Sequence, residues 1–309
     1  MSVDLSVALH GVRFSTPVLS ASGTWGYGIE AEDLLPPGLL GGVVTKGLSL
    51  APRPGNPPPR LCETAAGMLN SIGLENIGVE AFLRDKLPAL REAGATVVVN
   101  FFGDSLEEYV ACAGALDGHA GIAALELNIS CPNVSKGGMR YGTEPAMAGA
   151  LTGACRSVTR LPLWAKLTPN VTDVVSVGRA CVEAGADALS LINTLSGIAI
   201  DVRTRRPRLG NLFGGLSGPA IKPVALRMVH QVYRAALGVP IVGIGGIVTG
   251  EDALEFMLAG ADLVQVGTAS FAEPTAMLRI TREIEVLCEE LGVARVTDLK
   301  GTLDLSPAP

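Results

Sequence analysis

A repeated phrase constrains this chain more than any other feature. Ala184-Gly-Ala-Asp187 and Ala259-Gly-Ala-Asp262 each close a helical pattern and lead into a short apolar run, and Ala93-Gly-Ala95 does the same earlier. A glycine there can adopt the left-handed conformation that ends a helix. Leu161-Pro-Leu163 and Val239-Pro-Ile241 open further strands upstream of the last two. Around these marks the strand candidates are Pro17–Ser22, Gly42–Lys46, Thr96–Phe101, Ala123–Ser130, Leu163–Thr168, Ala188–Thr194, Pro240–Gly245 and Leu263–Thr268. Helical patterns lie between most of them, at Thr172–Ala184, Pro219–Ala236 and Gly250–Ala259. Near-continuously apolar strands alternating with amphipathic helices imply a parallel sheet buried on both faces. Units repeated about eight times predict an α/β fold, a closed (β/α)8 TIM barrel with its active site at the C-terminal ends of the strands. A doubly wound open sheet is the alternative, but no GxGxxG or GxxxxGK[ST] fingerprint occurs.

The chain is long and apolar enough for one large core: 309 residues, 48% of them hydrophobic. No linker divides it. The proline-rich piece Ala51–Arg60 has apolar structure on both sides and reads as a rigid loop over the barrel top, so residues 1–309 are expected to form a single domain. The net charge is −6 with no basic stripe, which argues against nucleic acid as a partner. The six cysteines are scattered without a CxxC pair, which suits a reducing cytoplasm, and the three histidines form no cluster, so neither a metal site nor a histidine-based triad is expected. The N-terminus lacks the basic start and apolar run of a signal peptide, and no apolar run approaches the roughly 20 residues of a membrane span.

The strand ends carry the polar residues. Lys46, Asn100, Asn128 with Ser130, Lys166, and Asn193-Thr194 stand where apolar faces would otherwise continue. One lysine or asparagine at a strand end is ordinary. Several converging on one mouth are not, because each buried group left unsatisfied costs about 1–3 kcal/mol, and a polar ligand would satisfy them. Gly243-Ile-Gly-Gly246 and Val266-Gly-Thr268 follow the last two strands, where barrels commonly bind phosphate through backbone N–H groups.

Cys131 lies just past the fourth strand beside Pro132, with Lys136 close in sequence. Cys112, Cys155 and Cys181 fall on helical patterns and read as small core hydrophobes. A thiol at a barrel mouth can serve as nucleophile or as general base, and the absence of a histidine placed to activate it favours the base. The glycine-rich stretch Val134–Gly142 has the composition of a lid.

These motifs together resemble the dihydroorotate dehydrogenases of class 1, most closely the class 1B catalytic subunit. The resemblance runs from about Val18 to Glu273 and rests on Ala21-Ser-Gly23, Arg53-Pro-Gly-Asn-Pro57, Gly67–Leu74, Glu126–Asn133, Lys166–Asp173, Ile192-Asn-Thr-Leu195, Gly214–Leu226 and Val266-Gly-Thr-Ala269. It implies an FMN-bound barrel that oxidises dihydroorotate to orotate in pyrimidine (UMP) synthesis. It implies that Cys131 takes the C5 proton while C6 gives hydride to the flavin. Substrate contacts are implied at Lys46, Asn70, Ser71, Ile72, Gly73, Leu74, Asn128, Asn193 and Thr194. Flavin contacts are implied at Ser22, Lys46, Gly47, Asn100, Asn128, Lys166, Ile192, Gly218, Gly245, Gly246, Gly267 and Thr268. Class 1B further implies a partner subunit carrying FAD and a [2Fe-2S] cluster that passes electrons to NAD+, around a homodimer core in a heterotetramer.

Phe101-Phe102 stand where the family has small residues after Asn100, Gly73-Leu-Glu-Asn-Ile-Gly78 replaces GLQNPG, and Thr24-Trp25 replaces Cys-Phe. Class 1A enzymes, which use fumarate, share the cysteine. Class 2 enzymes carry serine there. Dihydropyrimidine dehydrogenases share Lys166–Asp173 and the Asn-Thr doublet but not the Asn70–Leu74 loop. A non-catalytic barrel binding a phosphorylated ligand would have no need of Cys131.

Overall fold

The computed structural model describes residues 3–130 and 141–306. Eight parallel strands close into a barrel: β1 (Val18–Ser20), β2 (Gly42–Val44), β3 (Val97–Phe101), β4 (Ile122–Asn128), β5 (Leu163–Leu167), β6 (Ala188–Leu191), β7 (Ile241–Ile244) and β8 (Leu263–Val266). Each pairs with its neighbours in sequence, and β8 returns to β1 through Val264 opposite Val18. All eight expected strands are present, and the C-terminal residues assigned to most of them belong instead to the loops that follow. Helices fall over Val174–Glu183, Lys222–Arg234 and Gly250–Ala259, the second preceded by a short 3-10 turn at Pro219–Ile221.

Local chemistry fixes these boundaries. Asp173 accepts hydrogen bonds from the N–H groups of Val175 and Ser176 at one helix start, and Thr249 forms a reciprocal capping box with Asp252 at another. The repeated glycines end helices as expected. At Gly260 φ is +120°, and a Cβ would stand 2.1 Å from the Tyr233 ring, so only glycine fits.

Two apolar layers hold the barrel. The strands alternate between an outer face packed on the helices and an interior, and buried residues such as Val98, Leu125, Ala165 and Val264 join one continuous core. Before β1, a hairpin of Val7–Leu9 and Val12–Phe14 closes the N-terminal end, with Phe14 buried against Trp164, ring centroids 6.1 Å apart.

The opposite end carries a feature absent from the sequence reading. Four short strands, Leu195–Gly197, Gly214–Ser217, Gly67–Asn70 and Leu61–Thr64, pair in that order as an antiparallel sheet built from the loops after β2 and β6. The proline-rich loop runs into this sheet, and the Pro59 carbonyl accepts from the Gly210 N–H. The sheet has its own small apolar cluster of Cys62, Leu69 and Leu209. Among the described residues, no helix is long and apolar enough to cross a membrane.

Candidate active site

The barrel interior is polar at its C-terminal end. Glu126 on β4 is fully buried, and Asn100 on β3, Lys166 on β5 and Gln265 on β8 all point at it. One carboxylate oxygen accepts from Asn100 Nδ2 at 2.7 Å and from Lys166 Nζ at 3.2 Å, and the other accepts from Gln265 Nε2 at 2.7 Å. β4 and β8 stand on opposite walls of an eight-strand ring, so the last bond crosses the interior and fixes which faces point inward. Lys166 also donates to Ser22 Oγ at 2.8 Å, which ties β5 to the loop after β1. Burying a carboxylate and an ammonium is tolerable only when they are paired and hydrogen-bonded, as here.

Asn100 and Lys166 already have a protein partner in Glu126, and Lys166 keeps one N–H for a further acceptor. Neither Glu126 nor Gln265 was counted as a site residue. The available signal was the lone acid in the otherwise apolar run Leu125–Leu127, two residues before Asn128 on the same strand face.

A cleft opens beside Lys166 at the C-terminal end of the barrel. Its walls include Ser22, Lys166, Ile192, Asn193, Thr194, Gly218, Gly245, Gly246, Gly267 and Thr268, together with Ser217. The strands explain this gathering. Ile192 is anchored by its N–H to the Ile244 carbonyl at 2.9 Å, and Asn193 by its N–H to the Leu167 carbonyl at 3.0 Å, so three adjacent strand ends are held together. Thr268 Oγ1 donates to Ser217 Oγ at 2.8 Å, which links the last barrel loop to the antiparallel sheet. At Gly246, φ is +77° and a Cβ would meet the Gly218 carbonyl at 2.9 Å, so the two loops can approach only as glycines.

The loop after Gly246 is secured from behind. Asp252 accepts from the N–H groups of Val248 and Thr249 and from Lys222 Nζ at 2.5 Å. Burial alone would raise its pKa, but Lys222 and the two N–H groups outweigh this and hold the carboxyl below its ordinary value.

The remaining sequence-derived residues do not border this cleft, and hydrogen bonds and close contacts tie some of them to it. Asn193 Nδ2 donates to Asn128 Oδ1 at 3.3 Å, and the Thr194 N–H donates to Asn193 Oδ1 at 2.8 Å. Asn70 Nδ2 donates to the Gly215 carbonyl at 3.3 Å, and a Cβ on Gly215 would strike Thr194, so the Asn70 loop and the Asn193-Thr194 doublet are neighbours through one strand. In that loop the Ile72 carbonyl accepts from the Asn56 N–H, Gly73 and Leu74 take positive φ, and Ser71 Oγ is buried without a hydrogen-bond partner among the described residues. Gly47 lets Asn100 Oδ1 come within 2.8 Å of where its Cβ would be. Lys46 stands two residues past β2, its N–H on the Gly26 carbonyl and its ammonium 3.9 Å from Glu75. Phe102 is buried against Gly47 and under the Arg53 guanidinium, 5.0 Å from the ring centroid, and Phe101 packs on Tyr109. Cys131, Lys136 and most of the glycine-rich stretch lie outside the described residues. Burial pushes the Cys112 and Cys155 thiols up to about 12 and Cys181 up to about 11, which fits inert core residues.

Residues 4–287 match a family described as dihydroorotate dehydrogenase. The chain belongs to the dihydroorotate dehydrogenase family. Similar relatives are named dihydroorotate dehydrogenase B (NAD(+)), catalytic subunit. That of Pelobacter propionicus is 58% identical over 304 residues, covering 98% of this chain and 100% of the relative. Those of Geobacter sp. and Citrifermentans bemidjiense are 55% and 54% identical over 302 residues, covering 98% of this chain and 99% of each relative. As a dihydroorotate dehydrogenase, the chain puts a buried cation at the cleft wall with two of its three N–H donors used, by Glu126 and Ser22, which leaves one for a ligand. The glycine cradle beside it, at Gly218, Gly245, Gly246 and Gly267, fits a phosphate-bearing ring system such as a flavin mononucleotide.

Proposed function

We propose that this chain oxidises dihydroorotate to orotate in pyrimidine (UMP) synthesis with FMN as its cofactor, as the catalytic subunit of an NAD+-linked enzyme. The observation that carries this reading is the near-full-length identity to relatives named as that subunit. The reaction removes a proton from C5 and a hydride from C6, leaving a C5–C6 double bond. FMN, when bound, takes the hydride.

The chain's own residues bind, orient and move the proton. Lys46, the Asn70–Leu74 loop, Asn128, Asn193 and Thr194 hold the substrate ring and its carboxylate, since asparagine amides offer a donor and an acceptor to amide-like ring edges. Cys131 accepts the C5 proton at Sγ. Ser22, Lys46, Gly47, Asn100, Asn128, Lys166 and Ile192 hold the flavin ring and ribityl chain. Gly218, Gly245, Gly246, Gly267 and Thr268 cradle its phosphate. Lys166 would favour negative charge on a bound flavin, in a buried setting where electrostatic interactions are strong. Residues 1–309 act as a single barrel domain in the cytoplasm. They form a homodimer core that binds a partner subunit carrying FAD and a [2Fe-2S] cluster.

The test is Cys131→Ala. Loss of a positioned general base should slow flavin reduction by dihydroorotate about 10²–10⁴-fold at neutral pH without releasing the flavin. Reduction at the wild-type rate would remove the proton-acceptor role. Reconstitution with the partner subunit should add NADH formation, and electron delivery to fumarate by the chain alone would reassign the acceptor.

A further inference from the structure

Glu75 places a negative charge at the mouth where an anionic substrate must enter. Its Oε2 lies 2.6 Å from Arg60 Nη2 and 3.9 Å from Lys46 Nζ, so one oxygen is shared unequally between two cations. The Arg60 contact is a close ion pair, and the Lys46 contact is a loose one at the edge of ion-pairing distance. The backbone sets this inequality. The Arg60 carbonyl accepts from the Ser71 N–H at 2.8 Å, which ties its backbone to the start of the loop that carries Glu75, and Arg60 Nη1 donates to the Asn56 carbonyl at 3.3 Å, which holds the guanidinium in its own loop. Gly55 lies behind Glu75, and a Cβ there would stand 2.7 Å from Glu75 Cβ.

We propose that Arg60 is a positioning residue that holds Glu75 off Lys46 and thereby keeps the lysine available to an anionic carboxylate ligand. The proposal rests on the reading that Lys46 contacts the substrate. With Arg60 in place, two cations face one anion, and the mouth keeps a net positive charge for the ligand. Without Arg60, Lys46 is the one cation left paired with Glu75 among the described residues. The pair would then close and compete with the ligand carboxylate. Glu75 and Lys46 are 38% and 25% exposed, so the competition is partly screened and should weaken as salt is added.

The test is orotate binding to the flavin-loaded protein by titration calorimetry, which needs no turnover. Arg60→Ala should raise the orotate Kd about tenfold, a change of about 1.4 kcal/mol. Adding Glu75→Gln to Arg60→Ala should restore affinity to near wild type, a rescue that loss of loop packing would not give. Glu75→Gln alone should tighten binding several-fold, and this variant keeps the test open if Arg60→Ala does not fold. An unchanged Kd in Arg60→Ala, or a loss that the double variant does not rescue, overturns the proposal. Lys46→Met separates the two layers: unchanged orotate affinity there refutes the lysine's substrate role itself, whereas a loss there with no effect at Arg60 refutes only the positioning role.

Discussion

Substitution of Glu126 should separate what holds the barrel mouth together from what the mouth binds. The carboxylate accepts three hydrogen bonds, one of them from a buried ammonium. Glu126→Ala leaves Lys166 buried at 4% exposure with the Ser22 hydroxyl as its one side-chain partner among the described residues, and strands the amide donors of Asn100 and Gln265. Breaking a buried ion pair from one side costs about 3–5 kcal/mol. At about 2.1 cal/mol/K of unfolding entropy per residue, that cost lowers the Tm of a chain of this length by about 5–8 °C. Glu126→Gln should cost less, about 2–3 kcal/mol, because Gln265 Oε1 has no partner among the described residues and an amide rotation would let it accept from the new side chain. Pairing Glu126→Gln with Lys166→Met removes both charges and should recover most of the lost stability while still failing to retain flavin. Thermal unfolding alongside flavin content after gel filtration measures both quantities. A Glu126→Ala protein that melts at the wild-type temperature would refute the reasoning, and so would a double variant that binds flavin normally.

Other outcomes follow from the same structure. Cys112, Cys155 and Cys181 should resist maleimide in the native protein at neutral pH, since burial raises their thiols to about 12, about 12 and about 11; mass spectrometry of labelled peptides checks this, and modification before unfolding would contradict it. Asp252→Asn should cost about 1–2 kcal/mol at neutral pH through loss of the helix-start and Lys222 bonds. Because the folded carboxyl titrates below the unfolded value of 3.8, that stability is fully present above 3.8 and is lost as pH falls through the lowered value, so urea midpoints of wild type and variant should converge in acid. Gly246→Val should reduce flavin retention at least tenfold, because its branched side chain would collide with the Gly218 carbonyl and Lys222; fluorescence of released flavin reports it, and full retention would refute the cradle.

Much of this architecture was legible in the sequence because it is local. The alternation of apolar strands and helices, and the glycines that end the helices, carry the barrel and its strand order without long-range information. The antiparallel sheet was not legible. Its strands are three or four residues long, three of them contain glycines, and their pairing joins residues near 69 to residues near 216. The site divided in the same way. Lys166, Asn100 and the loop glycines were found because polar residues and glycines at strand ends break an apolar pattern. Glu126 and Gln265 were missed because they sit inside strands, where their role emerges only when β4 and β8 face each other across the interior. Glu75 was visible as a departure, but its two cations come from different loops and could not be paired by spacing.

The central claim is that this chain takes a hydride from dihydroorotate. The direct measurement is anaerobic mixing of the flavin-loaded protein with dihydroorotate and, separately, with dihydrouracil, following the visible flavin absorbance. The account predicts rapid bleaching by dihydroorotate and none by dihydrouracil. Bleaching by dihydrouracil alone, or a purified protein that carries no flavin and takes none up, would contradict it.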